Sequence, residues 1–376
     1  MGTIANSVRL SSHTMRLRVP SMGEVLPQSV MNFWSAVGAG RGRRWAAGPG
    51  VFASEGDESG VDGVTPMGDY HAPVMPDECM AALRPAEGKV MADLTLGGGG
   101  HAERMLEAGA TVYGFDQDLE AIQFASERLA RFGSRFIPVH SNFCGIEREL
   151  GLRGVERLDG VLIDLGVSSR QLDAPERGFS FMREGPLDMR MDANDPTMPT
   201  AADLVNTWEA EELARIFFQY GEEKFSRKIA REIVSYRSLH PVETTMELAD
   251  LIERVVPKRG PKHPATRVFQ ALRIAVNHEM SVLEQTLDAL PRMLGDHGRL
   301  AIITFHSLED RMVKLDFRKR SEQMLDHESW PEPRPNPDYA YRLIKRKPLL
   351  PSDAEIRLNP RSRSAKVRVA ERLPRS

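Results

Sequence analysis

Several features that mark large classes of protein are scarce in this chain of 376 residues. Cys79 and Cys144 are its only cysteines, too few for a disulfide framework and typical of a reducing compartment. No apolar run approaches the roughly 18 residues that a membrane-spanning helix needs. The distant cysteines and scattered histidines lack zinc-site spacing, so we expect no metal. These absences predict a soluble, cytoplasmic protein.

The chain also lacks a strong excess of either positive or negative charge. The formal net charge is −3, and charged residues make up 27% of the chain and hydrophobic residues 41%, as in ordinary soluble enzymes. Any contact with nucleic acid must therefore come from a local basic patch. The length predicts two domains, or one domain with a large insertion.

Residues 1–66 differ from the rest. They contain Gly- and Ser-rich pieces, and up to Gly50 they hold several arginines but one acid, Glu24, as in an organelle transit peptide. The alternative is a disordered or mis-called extension, with Met67 as the working start, which we favour because the remaining residues make a complete domain without it. An organellar location stays open only if this segment is a leader.

From about residue 71, short apolar runs alternate with helical patterns, which predicts a parallel α/β sheet. The predicted strands are Val90–Leu94, Val112–Phe115, Phe136–Val139, Gly160–Asp164 and Arg299–Phe305. The alternation stops over residues 169–266, where the pattern is helix and loop. One long helix should follow, with Phe269, Leu272, Val276, Met280, Leu283 and Leu287 on one face. We therefore divide the chain into 67–168 and 267–325 as two parts of one α/β domain, 169–266 as a helical insertion, and 326–376 as a Pro-rich and basic tail.

Four consecutive glycines, Gly97 to Gly100, lie between the first strand and a helix. A glycine turn here lets a ligand approach the backbone and presents a helix N-terminus to it. Asp116, at the end of the next strand, can accept both hydroxyls of a ribose. This pattern predicts an adenosine cofactor but does not separate NAD from S-adenosylmethionine, and a tight turn without a ligand is the structural alternative.

Further candidates follow later strands. Asp164 ends the fourth strand, where a carboxylate could contact the cofactor, receive a proton from an amine, or simply cap a turn. Asp188 and Asp192 could form an acid–base group or belong to an ion-paired loop. His306 follows the last apolar strand and could contact a substrate base or cap a loop; no Gly-x-Ser-x-Gly motif supports a hydrolase.

Several basic residues cluster in the predicted insertion, some of them near its C-terminal end. Such charges usually form a solvated helix face, yet the segment from Pro257 to Pro264 contains no acid, which favours phosphate contact. The candidate RNA-binding residues are Arg227, Lys228, Arg231, Lys258, Arg259 and Lys262.

In these motifs the chain resembles the bacterial ribosomal RNA small-subunit methyltransferase H family, also called MraW. The resemblance runs from about His71 to Arg372 and rests on several ordered motifs. They are Thr95 to His101, Asp164 to Ser169, Arg177 to Phe181, Gly185 to Asp192, Tyr220 to Glu223, His263 to Thr266, Phe269 to Ile274, and Phe305 to Arg311.

The resemblance implies a Rossmann-like class I methyltransferase domain with an inserted helical domain, acting on N4 of a cytosine in the decoding centre of small-subunit rRNA. It implies cofactor contacts at Gly99, Gly100, His101, Asp116, Phe143, Asp164 and Gln171, and the glycine turn adds Gly97 as a further candidate. For the reaction itself we expect Asp164 or a nearby main-chain carbonyl as proton acceptor, with Asp188, Asp192 and His306 as neighbours. An NAD-dependent oxidoreductase and a non-catalytic ribosome assembly factor are the alternatives.

Overall fold

The computed structural model describes residues 73–257 and 263–375. The predictions for residues 1–66, and those for Lys258, Arg259 and Lys262, lie outside these ranges. Among the described residues, no helix is long and apolar enough to cross a membrane.

A seven-stranded sheet organises the described chain. Its strand order is β3-β2-β1-β4-β5-β9-β8. Strands β1 to β5 run parallel to one another, and β9 runs antiparallel to both of its neighbours, β5 and β8. All five predicted strands are confirmed. The strands are β1 (Val90–Asp93), β2 (Thr111–Asp116), β3 (Phe136–His140), β4 (Leu158–Asp164), β5 (Leu294–Thr304), β8 (Tyr341–Leu343) and β9 (Lys366–Arg372); a separate pair is β6 (Met324–Leu325) with β7 (Arg334–Pro335).

The prediction of a tail after residue 326 is wrong, because β8 and β9 belong to the sheet. Three basic residues of this segment, Arg361, Lys366 and Arg368, pair with aspartates elsewhere in the fold. Arg368 donates a hydrogen bond from Nε to Oδ1 of Asp310 at 2.7 Å, and its neighbours Val367 and Val369 are buried in the core.

Helices cover both faces of the sheet and fill the connection between β4 and β5. They are α1 (Pro76–Leu83), α2 (Gly100–Glu107), α3 (Leu119–Leu129), α4 (Ile146–Leu152), α5 (Ser169–Asp173), α6 (Ala201–Thr207), α7 (Ala210–Gln219), α8 (Ser226–Arg237), α9 (Thr245–Val255), α10 (Thr266–Val276), α11 (Glu279–Met293), α12 (Ser307–Ser321) and α13 (Asp353–Leu358).

Alternating side chains of the strands enter two separate apolar clusters, one on each face. Val161 and Ile163 of β4 pack with α4, α11 and α12, whereas Leu162 between them packs with α1, α2 and α3. Burial on both faces accounts for the near-continuous apolar strands of the sequence. The carboxyl ends of β1, β2 and β4 thus meet at one edge, which is where open parallel sheets bind ligands.

The predicted long helix is in fact two helices, α10 and α11. The break falls at Asn277 and His278, and His278 has a left-handed backbone with φ of 51°. Buried Asn277 donates from Nδ2 to the carbonyl of Met189 and accepts the N–H of Met191 on Oδ1. The break therefore frees a side chain to hold the loop after β4, a tertiary reason that periodicity does not reveal.

Helices α6 to α10 share a third apolar cluster with the loop after β4, distinct from the two sheet clusters. Thr244 caps the start of helix α9, because its Oγ1 accepts the N–H of Glu247 at 3.2 Å. The absence of strands among the described residues of 169–266 agrees with the sequence pattern. That this segment acts as a separate domain stays a prediction.

Candidate active site

The glycine turn after β1 contains two left-handed residues, Gly97 with φ of 49° and Gly99 with φ of 77°. Helix α2 starts at Gly100, directly after them. A Cβ on Gly99 would stand 3.0 Å from Cδ1 of Leu129, so packing against α3 requires glycine there. A Cβ on Gly97 would meet no described atom within 4 Å. Gly97 therefore leaves open space at the edge where a cofactor backbone contact is predicted.

Asp116 lies against this turn at the end of β2. Its Oδ2 accepts the N–H of Gly97 at 2.8 Å and its Oδ1 accepts the N–H of Asp118 at 2.9 Å. Burial raises the pKa of Asp116 to about 6, although these two hydrogen bonds act in the opposite direction. Carboxylate oxygens have further lone pairs, so an ionised Asp116 can still accept two ribose hydroxyls.

Asp164 ends β4 beside the same turn, and its N–H donates to Oγ1 of Thr95 at 2.6 Å. Its Oδ2 lies 3.7 Å from Nε2 of His101, the second residue of α2. Its buried Oδ1 has no hydrogen-bond partner among the described residues. Burial raises the pKa of Asp164, and His101 partly offsets the rise. The carboxylate is thus poised to bind a proton more readily than a surface aspartate.

Gln171 is connected to Asp116 through a residue that sequence reasoning missed, Asp118. The Nε2 of Gln171 donates to Oδ2 of buried Asp118 at 3.0 Å. The same oxygen accepts a hydrogen bond from Nη1 of Arg177 at 2.7 Å. Gln171 also closes a capping box with Ser168 at the start of α5. Asp118 is therefore the junction between the loop after β2 and the segment after β4.

Phe143 opens a short 3₁₀ turn after β3 and packs, half-buried, against the apolar cluster of the sheet. Asn142 before it donates from Nδ2 to Oε1 of Gln117 at 2.7 Å. The turn is thereby fixed to the loop that carries Asp116. This position suits the predicted contact of Phe143 with an adenine ring.

The predicted acid–base pair is largely engaged within its own loop. Both oxygens of Asp188 accept hydrogen bonds from the Arg190 guanidinium, at 2.9 and 2.8 Å. Asp192 accepts the N–H of Asn194 at 3.1 Å. Asp188 therefore fits the alternative interpretation, in which it belongs to an ion-paired loop. The Nη2 of Arg177 donates to the carbonyl of Met191 at 2.9 Å and so ties this loop to Asp118.

His306 caps α12, and its neighbourhood contains a buried acid that the motif reading passed over. Nε2 of His306 lies 3.0 Å from Oε1 of Glu309, whose Oε2 accepts the N–H of Phe305 at 2.8 Å. Burial and the nearby charges act in opposite directions on the pKa of Glu309; the charges of His306 and Arg273 prevail and lower it. Buried Arg273 donates to both carboxylate oxygens of Glu279.

Glu279, His306 and Glu309 place one ligand atom each within 4.8 Å of one another, close enough for a metal ion. Arg273 pairs with both oxygens of Glu279, however, and Nε2 of His306 lies 3.0 Å from Oε1 of Glu309, so both carboxylates already have partners among the described residues. We therefore interpret them as an ion-pair network. The expectation of no metal stays a prediction.

The described basic candidates lie exposed on α8: Arg227, Lys228 and Arg231. Lys228 donates from Nζ to the carbonyl of Val255 at 3.1 Å, so its charge is partly engaged. Glu222, just before this helix, accepts a hydrogen bond from Oγ of Ser307 at 3.2 Å. The helical segment therefore touches the start of α12, near His306.

The structure thus brings most predicted residues to one edge of the sheet. Gly97 contacts Asp116 directly, and His101 faces Asp164. Gln171 joins the segment after β4 to the loop after β2 through its hydrogen bond to Asp118. The missed residues are Asp93, Asp118, Arg177, Arg273 and Glu309. Asp93 is the last residue of β1, as Asp164 is of β4. The predicted first strand runs one residue further, to Leu94, so the sequence does not show that these two aspartates share a position.

Comparison with known proteins identifies related chains. The chain is 49% identical over 306 residues to a protein of Carboxydothermus hydrogenoformans called ribosomal RNA small subunit methyltransferase H, covering 81% of this chain and 98% of the relative. A protein of the same name from Citrifermentans bemidjiense is 48% identical over 310 residues, covering 81% and 99%. A Streptococcus mutans methyltransferase structure in complex with SAH gives a TM-score of 0.38 at 11% identity, covering 79% of this chain and 97% of that one. The sequence profile of the MraW methylase family matches residues 69–373. Since this profile spans most of the chain and the relatives are nearly half identical to it, the chain belongs to the MraW methylase family.

Proposed function

We propose that this protein transfers the methyl group of S-adenosylmethionine to N4 of a cytosine in the decoding centre of small-subunit rRNA. One observation carries the proposal furthest: Asp164 ends β4 beside the glycine turn with its side chain 21% exposed, and its Oδ1 has no hydrogen-bond partner among the described residues. Its relatives, ribosomal RNA small subunit methyltransferases by name, support the substrate class.

The residues present fit the cofactor. Gly97 has open space beside it, Gly100 and His101 begin a helix whose first N–H groups face an incoming ligand, and Asp116 suits a ribose. Phe143 then packs against the adenine. When bound, the cofactor supplies an electrophilic methyl group on a sulfonium.

The cytosine amine requires help from the protein, because its lone pair is delocalised into the ring. A hydrogen bond from the amine to Asp164 favours the rehybridisation that makes N4 nucleophilic and aligns it with the methyl group. The raised pKa of Asp164 suits it to receive the proton that N4 loses. His306 and Asp192 lie on loops that would contact the extruded base, and Asp188 with Arg190 would hold their loop in place.

Exposed Arg227, Lys228 and Arg231, together with Lys258, Arg259 and Lys262, would hold the rRNA by its phosphates. Counterion release makes such binding fall steeply with salt. The net charge of −3 means that this surface supplies local attraction rather than a general one. A ribosomal substrate places the enzyme where small subunits assemble, the cytoplasm unless residues 1–66 are a leader.

The test incubates the protein with S-adenosylmethionine and unmodified small subunits, and seeks N4-methylcytidine in digested rRNA by mass spectrometry. We expect the product with the wild type and a loss of at least about 100-fold in rate with Asp164→Asn. Full activity in that variant would remove Asp164 from the mechanism. Binding of small subunits without any methyl transfer would instead indicate an assembly factor.

A further inference from the structure

Behind Asp164 lie two buried ionisable side chains that the proposed mechanism does not use. His101 is 5% exposed and Asp93 is 1% exposed. Both ring nitrogens of His101 and Oδ2 of Asp93 have no hydrogen-bond partner among the described residues. Buried polar groups of folded proteins are normally paired, so each exception needs an explanation.

Stability does not explain these two groups. The Oδ1 of Asp93 accepts a long hydrogen bond, 3.3 Å, from the N–H of Thr95, and the N–H of Ala102 in the first turn of α2 also stabilises the carboxylate. An asparagine oxygen could accept hydrogen bonds from these N–H groups without the cost of burying a charge. His101 stands in the first turn of α2, where the helix dipole disfavours an added positive charge. The fold therefore gains little from either ionisable group.

Their arrangement points to the transfer of a proton. Nε2 of His101 is 3.7 Å from Oδ2 of Asp164, and a closure of about 0.7 Å would make this contact a hydrogen bond. The charges of His101 and Asp164 both act on Asp93, so the three groups form one electrostatically coupled cluster. Burial raises the pKa of Asp93 to about 6, so that it is mostly ionised at neutral pH.

We propose that His101 and Asp93 form a proton relay behind Asp164, in which His101 takes the proton from Asp164 and Asp93 stabilises the resulting imidazolium. The relay rests on the proposed function. As the N4–methyl bond forms, the carbon–sulfur electron pair goes to sulfur and cationic N4 gives a proton to Asp164. That proton then moves to Nε2 of His101, and Asp164 returns to the carboxylate form. When the product leaves, the imidazolium returns the proton through the Asp164 carboxylate, whose side chain is 21% exposed, to solvent, and the resting state is restored.

The predicted cofactor contact at His101 is compatible with this role. A residue in the first turn of a helix offers its backbone N–H to a ligand while its side chain points elsewhere. The imidazole is thus available as a positioning and relay group, and only Asp164 would touch the reacting amine.

Two further ionisable groups face the cluster. Cys79 on α1 is fully buried, and burial, with smaller contributions from Asp164 and Asp93, raises its pKa well above the ordinary value, so it remains a neutral thiol. Glu309 on α12 adds a negative charge that raises the pKa of Asp164. Neither neighbour supplies a competing cation.

The test measures single-turnover methyl transfer to small subunits as a function of pH in the wild type, Asp93→Asn and His101→Gln. With the negative charge gone in Asp93→Asn, the imidazole loses its proton more easily. The acid limb of the profile should therefore move to lower pH, and the plateau rate should fall about 10-fold or more. His101→Gln should lose at least about 100-fold of the plateau rate. Cofactor affinity should stay within about two-fold of the wild type in both variants.

Asp316→Asn is the matched control, because burial also raises the pKa of Asp316 on α12 to about 6, next to Arg320. Its acid limb should coincide with that of the wild type. A second readout follows proton uptake by His101 through its imidazole NMR signals without RNA. The midpoint should move to lower pH in Asp93→Asn. An unchanged midpoint or an unchanged acid limb in Asp93→Asn would overturn the relay.

The NMR titration separates the relay from the proposed reaction. If the wild type forms no N4-methylcytidine, the proposed function fails whatever the titration shows. If it forms the product and Asp93→Asn behaves as the wild type in both readouts, the function stands and the relay fails.

Discussion

Arg177 donates a hydrogen bond from Nη1 to Oδ2 of Asp118 at 2.7 Å, and both side chains are more than nine-tenths buried. The pair joins the loop after β2, the strand that ends at Asp116, to the loop that contains Asp188 and Asp192. It therefore sets the distance between the predicted cofactor side and the predicted substrate side of the site.

Removal of this pair should be costly. Arg177→Ala leaves Asp118 with an uncompensated buried charge, and we expect a loss of about 3–5 kcal/mol in the free energy of unfolding. Chemical denaturation measures it. Arg170→Ala is the control, since Arg170 pairs with Glu120 between α5 and α3 but both side chains are about half exposed; it should cost less than about 1 kcal/mol. Equal losses in the two variants would contradict the assignment of Arg177 as the buried tie.

Gly97 tests whether the turn serves a ligand or only the fold. Gly97→Ala and Gly154→Ala both place a Cβ on a residue with positive φ, 49° and 71°, and neither Cβ meets a described atom within 4 Å. Both should therefore lose about 1 kcal/mol of stability to backbone strain. Only Gly97→Ala should weaken cofactor binding, by about 10-fold or more, as measured by calorimetry. The same affinity in both variants would show that nothing approaches Gly97.

Asp116 predicts the pH dependence of cofactor affinity. It must be ionised to accept two ribose hydroxyls, and its pKa is about 6. Affinity should be constant above about pH 7 and fall as the pH drops through 6. Asp116→Asn should bind weakly and lose this dependence, whereas Asp316→Asn, which removes another carboxyl with a pKa of about 6, should keep it. A wild-type affinity that does not change between pH 8 and pH 5 would disprove the ribose contact.

Asp93 predicts a variant that is more stable but slower. Burial raises its pKa from 3.8 to about 6, so the folded state binds the proton more tightly than the unfolded chain. Stability is therefore lost as the pH rises from about 4 to 6. Asp93→Asn removes this loss and should be more stable than the wild type at pH 8, by up to about 3 kcal/mol, and similar to it near pH 4. Urea denaturation at both pH values checks this, and a less stable variant at pH 8 would assign Asp93 a structural role.

The exposed arginines of α8 predict how RNA affinity depends on salt. The double variant Arg227→Ala, Arg231→Ala should lower the slope of log affinity against log salt by about 1.4–1.8, from two lost phosphate contacts. Arg318→Ala is the control, because Arg318 is exposed on α12 and pairs with Glu322. Filter binding to small-subunit rRNA measures both slopes; if the double variant keeps the wild-type slope, α8 does not contact phosphates.

The parallel strands could be predicted because their apolar runs are continuous and local. Strand β9 escaped prediction since its charges are neutralised by distant partners: Arg368 by Asp310, and Glu371 by Arg299. Similarly, nothing in the helical pattern near Asn277 indicates the break that holds the loop at Met189 and Met191. For strand β9 and for the helix break alike, contacts with residues distant in sequence determine the structure.

In the candidate site, too, features that are local in sequence could be predicted, and those that depend on distant contacts could not. Asp116 and Asp164 were predictable because they end strands of a parallel sheet. The sequence did not reveal that Arg190 pairs with Asp188, nor that Asp118 joins Gln171 to Arg177. Spacing places residues at an edge of the sheet, whereas their charge state and partners depend on burial and on contacts from other segments.

The most direct measurement supplies S-adenosylmethionine with an isotopically labelled methyl group to unmodified small subunits and maps the label in the rRNA. The account predicts one labelled nucleotide, a decoding-centre cytosine that carries the methyl group on N4, and no label with Asp164→Asn. Label on another atom, on another base or on no nucleotide at all would contradict it.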